Sequence, residues 1–350
     1  MKILYLYSDL IGYQIPIFKQ YIEKYNAEVH VIYWDHKKLT PYKPPVIDKI
    51  HYYNRSAFSH KQLKEFVISS NPDIVYISGW MDMGYLAAVR KLRKKNIPVV
   101  CGFDDIWWKT PKQRIASFLF PLIKTRFFSH AWVAGPYQYE YAKRLGFKNN
   151  EIIFNCLSAD IKAFNFEFNE SLQKKKEKYP HRFLYVGRLE LIKGADLLVK
   201  AWNNLSDQKK DWELCIIGNG SLSNDIASFS NIDLLDFMQP EILVNVISNY
   251  GCFVLPSKKE QWALVLHEFS AGGLPIICSD ACGGAPLFVI HNYNGYIFKS
   301  NKIKDLEKKM LQIINSTDEE LIQMSENSHI NGQKINPEMA AASFISILDT

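Results

Sequence analysis

Long hydrophobic runs are missing from this 350-residue sequence. Its longest apolar stretches, such as Ala116 to Ile123, fall well short of the roughly 18 to 20 residues that a bilayer-spanning helix needs. The opening MKILYLYSDL has one lysine and a short apolar run, without the length or the small-residue cleavage site of a secretory signal, so the mature chain is expected to start here. Cysteine pairing signals are also missing. Cys101, Cys156, Cys215, Cys252, Cys278 and Cys282 are scattered through apolar runs with no CxxC and no histidines at zinc spacing, which points to reduced, buried thiols and a cytoplasmic setting. No low-complexity tract or short repeat occurs. With 47% apolar and 22% charged residues, disordered, collagen-like and coiled-coil classes are excluded.

What is present is a split charge and a repeated grammar. Residues 1–165 carry 24 Lys+Arg against 13 Asp+Glu, a net +11, while the remainder carries 18 against 23, a net −5. The basic half suits an anionic partner such as a phosphorylated substrate or a lipid surface, and no recognised nucleic-acid module accompanies it. Short β-rich runs alternate with amphipathic ones almost throughout, and several runs are continuously apolar, as in parallel strands covered on both faces. The expected fold is α/β, with two doubly wound Rossmann-like domains facing across a cleft. The first is expected over residues 1–165, a polar linker over 166–180, and the second domain over 181–335. A terminal helix over 336–350 is expected to pack back on the first domain.

In such sheets ligands sit beyond the carboxyl ends of the strands. Three passages there carry chemistry. In YVGRLELIKGADLLVKAW, residues 185 to 202, a strand turns at Gly187 and Arg188 and Lys193 flank the entry to a helix, an arrangement suited to a diphosphate. In LPSKKEQWALVLHEFSAGGLPIICSD, residues 255 to 280, Glu260 precedes and Glu268 lies on a helix whose first amides belong to Ala263 and Leu264. Eight residues of helix would separate the two carboxylates by about 12 Å, too far for an acid/base pair on one bond, but suited to gripping hydroxyls along an elongated ligand. In WELCIIGNGSL, residues 212 to 222, Gly218 follows a strand and permits close approach of backbone to a ligand. Paired glycines at 283 and 284 and an Asn-Gly turn at 294 and 295 follow later.

Taken in order, VGRL-x3-KG, IIGNG, PS-x2-E-x7-E, the paired glycines and NG resemble the retaining glycosyltransferases of family 4, which have the two-domain GT-B fold. The resemblance is close over residues 183 to 298. It is weaker in the first half, where it rests on NPDIVYISGW, VVCGFDDIW and NCLSADIKAF. It implies transfer of a sugar from a nucleoside-diphosphate sugar to a glycan or lipid-linked glycan, as in surface polysaccharide synthesis, with retention of configuration. Arg188 and Lys193 then match the family's diphosphate-binding cations, Glu268 its ribose-binding glutamate, and Glu260 the glutamate that faces the sugar. Gly187, Gly218, Ala263 and Leu264 line the donor.

Some positions depart from the family pattern. Asp104 stands where many members have histidine near the donor sugar, Ala263 where glycine is common, and Leu287 where a glutamate often follows the paired glycines. Gly12 is a single glycine in a loop that often has two. No resident cofactor is implied, and the second half has no DxD, so the reaction is expected to be metal-independent; the alternative is that Asp104-Asp105 serves as a ligand pair for a divalent ion. The basic apolar segment 109 to 128 suggests rest on an anionic membrane at its inner face. Other readings are a sugar-nucleotide-binding protein without transferase activity, and a GT-B-like epimerase or phosphorylase.

Overall fold

The computed structural model describes residues 1–8, 10–36 and 43–349. The chain divides into two compact units, residues 1–158 with 335–350, and residues 159–334. In the first unit, strands β1 (Lys2–Tyr7), β2 (Glu28–Tyr33), β3 (Ile50–Asn54), β4 (Ile74–Ser78), β5 (Val99–Phe103), β6 (His130–Val133) and β7 (Ile152–Ile153) form one sheet in the order β3-β2-β1-β4-β5-β6-β7. Every pairing is parallel. The second unit has β8 (Arg182–Val186), β9 (Glu213–Ile217), β10 (Asp233–Leu235), β11 (Cys252–Leu255), β12 (Ile276–Ser279) and β13 (Gly295–Phe298) in the order β10-β9-β8-β11-β12-β13, again all parallel.

Central strands such as β1 and β11 are apolar along nearly their whole length because helices cover both faces of each sheet. In each unit the strand order reverses direction beside the first strand, between β1 and β4 and between β8 and β11. Loops leaving the two central strands diverge there to opposite faces and open a crevice at the carboxyl edge. That topology decides which residues of the second unit can meet, since the loops after β8 and β11 start as neighbours.

The stretch 166–180, expected as a linker, is mostly helix. Lys162–Glu177 is a 16-residue helix of the second unit that buries Phe164, Phe168, Ser171 and Lys175. Its lysines made the stretch read as polar, but Phe164, Phe168, Ser171 and Lys175 recur at helical spacing on one face. Phe168 stacks on His329 with ring centroids 4.0 Å apart and lies where a Cβ on Gly273 would fall. The crossover into the second unit is therefore at 158–159. The last helix, Pro337–Ile345, belongs to the first unit, where Phe344 packs among Tyr5, Tyr21, Tyr76 and Trp132. All six cysteines are buried and free.

Candidate functional site

The turn after β8 is built by backbone constraints. Gly187 donates its amide to Ile217 O at 3.1 Å, and Leu189 donates to Asn219 O at 2.9 Å, lacing the turn to the one after β9. Gly218 has φ +145°, and a Cβ there would stand 2.0 Å from Gly187 O, so only glycine lets the two turns close on each other. Gly194, at φ +76°, is likewise required, because a Cβ would stand 2.1 Å from Pro256 O. This contact holds the end of the β8 turn against the end of β11.

That closure brings Lys193 onto Glu260. Lys193 Nζ lies 2.5 Å from Glu260 Oε2, with the two side chains 21% and 14% exposed. Ser257 Oγ donates to the same oxygen at 3.3 Å. The backbone of Glu260 is fixed too, its amide donating to Ala281 O and its carbonyl accepting from Gly283 N. A second pair, Lys258 to Asp196 at 2.9 Å, ties the two loops again. Lys193 and Glu260 were expected to serve different parts of a ligand, diphosphate and sugar. The structure joins them in one partly shielded pair, so the ammonium meets a ligand already oriented by a carboxylate.

Arg188 behaves differently. Its side chain is exposed and, among the described residues, its guanidinium is in no ion pair or hydrogen bond. Its carbonyl accepts from the Tyr185 hydroxyl at 2.9 Å. Burial pushes the Tyr185 phenol upward, the Glu260 charge adds to that, and the Arg188 charge opposes it, so both charges act on one phenol at the end of β8.

The helix Leu264–Ala271 starts at Ala263, which has φ 71° and ψ 81°. An alanine held there is strained where glycine would not be. No side chain caps this terminus, and the Leu264 and Val265 amides have no acceptor among the described residues. Free amides and the positive end of the helix dipole form a site for anionic oxygen. One turn on, Glu268 is only partly exposed, its carboxyl has no hydrogen bond or ion pair among the described residues, and burial pushes its pKa up to about 7. The paired glycines fold over this terminus through Gly284 N to Trp262 O at 2.8 Å. Leu287 lies in the short helix Ala285–Phe288 that follows.

Arg188, Lys193, Glu260, Ala263, Leu264 and Glu268 thus all belong to the carboxyl edge of the second sheet, with Gly187 and Gly218 closing their loops. Gly12 and Asp104 belong to the first unit, beyond β1 and β5. Beside the Gly12–Gln14 turn, the Tyr7 hydroxyl accepts from Gln14 Nε2 at 3.2 Å. Burial chiefly raises the Tyr7 pKa, with Tyr13 and Asp104 adding to it.

Three contributors escaped the sequence reading. Tyr185 looked like an ordinary strand residue and Ser257 like a loop residue. His267 looked like one more helix residue, yet it is fully buried. Its Nδ1 accepts from Ala159 N at 3.0 Å and its Nε2 donates to Gly332 O at 3.0 Å, so it is neutral and pins the helix carrying Glu268 to both ends of the second unit. A histidine beside the second glutamate of the E-x7-E spacing was the only available signal.

Residues 166–330 match the family model described as "Glycosyl transferases group 1". An uncharacterized glycosyltransferase of Haemophilus influenzae is 32% identical over 152 residues, 42% of this chain and 43% of that protein. The N,N'-diacetylbacillosaminyl-diphospho-undecaprenol alpha-1,3-N-acetylgalactosaminyltransferase of Campylobacter jejuni is 24% identical over 223 residues, 60% of this chain and 57% of that one. The chain spans less than half the length of the first curated relatives it matches. Among solved structures, Anabaena Alr3699/HepE in complex with UDP and glucose superposes with a TM-score of 0.71 over 100% of both chains at 14% identity. That likeness extends the shared fold to the whole chain.

Proposed function

From its membership of the group 1 glycosyl transferases, carried by residues 166–330, we propose that this chain moves a sugar from a nucleoside-diphosphate sugar, of the UDP-glucose type, to a glycan or lipid-linked glycan, with retention of configuration. The observation that carries the reading is the combination, among the described residues, of an unpaired guanidinium at Arg188, open amides at Leu264 and Val265, and an unpaired carboxyl at Glu268 on one sheet edge. A nucleoside diphosphate offers the complementary groups: an anionic diphosphate for the first two and ribose hydroxyl donors for the third.

The chemical difficulty is the departure of the diphosphate from the anomeric carbon, because negative charge grows on the leaving oxygen while the ring gains oxocarbenium character. Fixed cations and amide dipoles aimed at that charge stabilise the transition state more than the ground state, single donors being worth about 10²- to 10³-fold in rate. Arg188 and Lys193 supply the cations, and Leu264 and Val265 the dipoles. Glu260 orients Lys193 through their ion pair and presents its remaining oxygen to the sugar hydroxyls. Attack comes from the face the leaving group departs, and no protein base is assigned. In this reading the cations take the neutralising role, and no divalent ion takes part in transfer. Asp104 and Gly12 are assigned to donor binding on the family resemblance alone, and the acceptor binds to the basic first unit.

We also place that unit at an anionic membrane surface. The helix Pro111–Leu119, started by a Thr110–Gln113 capping box, contains no buried residue. Phe118 and Leu122 are 78% and 72% exposed, beside Lys112, Arg114 and Arg126. A core-facing helix would bury its aromatic residues, so these observations favour the peripheral reading. No helix among the described residues is long and apolar enough to cross a membrane.

The deciding experiment incubates the chain with UDP-glucose and related donors, with and without a lipid-linked oligosaccharide mixture, and follows UDP release and product mass. Acceptor-dependent UDP release and a mass gain of one hexose are expected. Nucleotide binding without release from any donor would favour the binding-protein alternative, release without acceptor would favour a hydrolytic reading, and an epimeric nucleotide sugar formed without net UDP release would favour an epimerase.

A further inference from the structure

On the opposite, amino-terminal edge of the first sheet, β2 and β3 set His30 directly across from His51 in parallel register. Side chains alternate along a strand, so Glu28, two residues before His30, projects from the same face as both imidazoles. Glu28 Oε1 lies 2.9 Å from His51 Nε2 and 3.3 Å from His30 Nε2, and one ligand atom from each of the three residues falls within 4.8 Å of the others. The imidazole rings stack with centroids 4.8 Å apart and planes 27° apart.

His30 is 9% exposed, and its Nε2 is buried without a hydrogen-bond partner among the described residues, facing the Glu28 carboxylate without hydrogen-bond geometry. A buried ring nitrogen whose near neighbour is a carboxylate, with no well-formed hydrogen bond between them, is a position that a cation would satisfy. At the other side of the ring, His30 Nδ1 lies 3.2 Å from the hydroxyl of Tyr53, two residues after His51 on β3. With Nδ1–H donating to that oxygen, Nε2 carries the lone pair and points into the cluster, the arrangement in which an outer partner fixes the tautomer of a ligating histidine.

We propose that Glu28, His30 and His51 form a zinc site that clips the edge strand β3 to β2. Two imidazoles and one carboxylate are a ligand set for a borderline divalent ion, with bonds of about 2.0 to 2.2 Å. Such bonds in tetrahedral geometry put ligand atoms about 3.3 Å apart, the spacing that Glu28 already has to His30. The remaining separation, between the two ring nitrogens, closes by rotation of His51, which is exposed. Asp48 and Asp73 line the same depression, where they face Lys2 and Lys49. The Gly12 turn is at the other end of the parallel strands, so this ion holds the sheet together and takes no part in sugar transfer. The site stands whether or not the transferase reading does.

The test uses the full chain, dialysed against chelator and titrated calorimetrically with Zn²⁺, with Co²⁺ as an optical probe. One equivalent of Zn²⁺ should bind and raise the melting temperature, and Co²⁺ should give visible ligand-field bands. Glu28→Gln and His51→Ala, both at solvent-accessible positions that the fold tolerates, should each weaken binding at least tenfold and remove the bands. Tyr53→Phe, which keeps all three ligands, should weaken binding by about tenfold, as loss of an outer partner does. Absence of a saturable equivalent, or affinity unchanged in both ligand variants, would overturn the proposal.

Discussion

Glu268 combines a partly buried carboxyl with a pKa of about 7 and no partner among the described residues. A carboxyl raised above its unfolded value near 4.5 favours the folded state most below that value, and the advantage is lost as pH rises through 7. Above pH 7 the ligand-free chain therefore carries an ionised, poorly solvated group that a ribose would satisfy. Glu268→Gln should stabilise the ligand-free chain by about 1 to 3 kcal/mol at pH 8 and by about a quarter of that at pH 5, while weakening nucleotide binding. Thermal unfolding at the two pH values, beside a nucleotide titration, checks both effects. A variant less stable at pH 8 would mean that the carboxylate has a structural partner. Arg188, Lys193 and Glu260 were legible from the VGRL-x3-KG and E-x7-E spacings. The Lys193–Glu260 pair was not, because it depends on Gly194 closing against Pro256, a contact between segments over 60 residues apart.

At the level of elements, continuous apolar runs marked the central strands of both sheets, and the break after each strand placed the loops that carry chemistry. Edge strands were harder to read. β3, with the sequence IHYYN, has one buried residue and mixed polarity, and β10 is three residues long, so neither presents the pattern of a fully covered strand. The helix Lys162–Glu177 was hidden by its lysines, one of which is buried. Lys175 Nζ has no partner among the described residues, and burial lowers its pKa to about 8. A lysine depressed below its unfolded value of 10.5 penalises folding at neutral pH, and the penalty disappears as pH rises from 8 toward 10.5. Lys175→Met should therefore raise stability at pH 7 by about 1 to 3 kcal/mol, with the gain shrinking at pH 10. Denaturant unfolding at the two pH values measures it, and a loss at pH 7 would show that the ammonium is held by groups outside the helix.

Across the whole molecule the proposed division of tasks follows the division of charge. The basic unit carries the exposed apolar helix, and the acidic one carries a localised cationic site at its sheet edge. Flotation with anionic vesicles should recover the chain at low ionic strength and less of it at physiological salt, since surface attraction is screened within about 8 Å at 0.15 M. The double variant Phe118→Ser with Leu122→Ser should reduce recovery at either salt, and failure of the native chain to float would remove the membrane from the account. The central claim is that the second unit grips a nucleoside diphosphate through Arg188 and the start of the helix Leu264–Ala271. Calorimetric titration of UDP into the native chain and Arg188→Ala tests it most directly: the account predicts saturable one-to-one binding to the native chain, weakened tenfold or more by the substitution, whereas equal affinity in the two, or no binding to either, would contradict it.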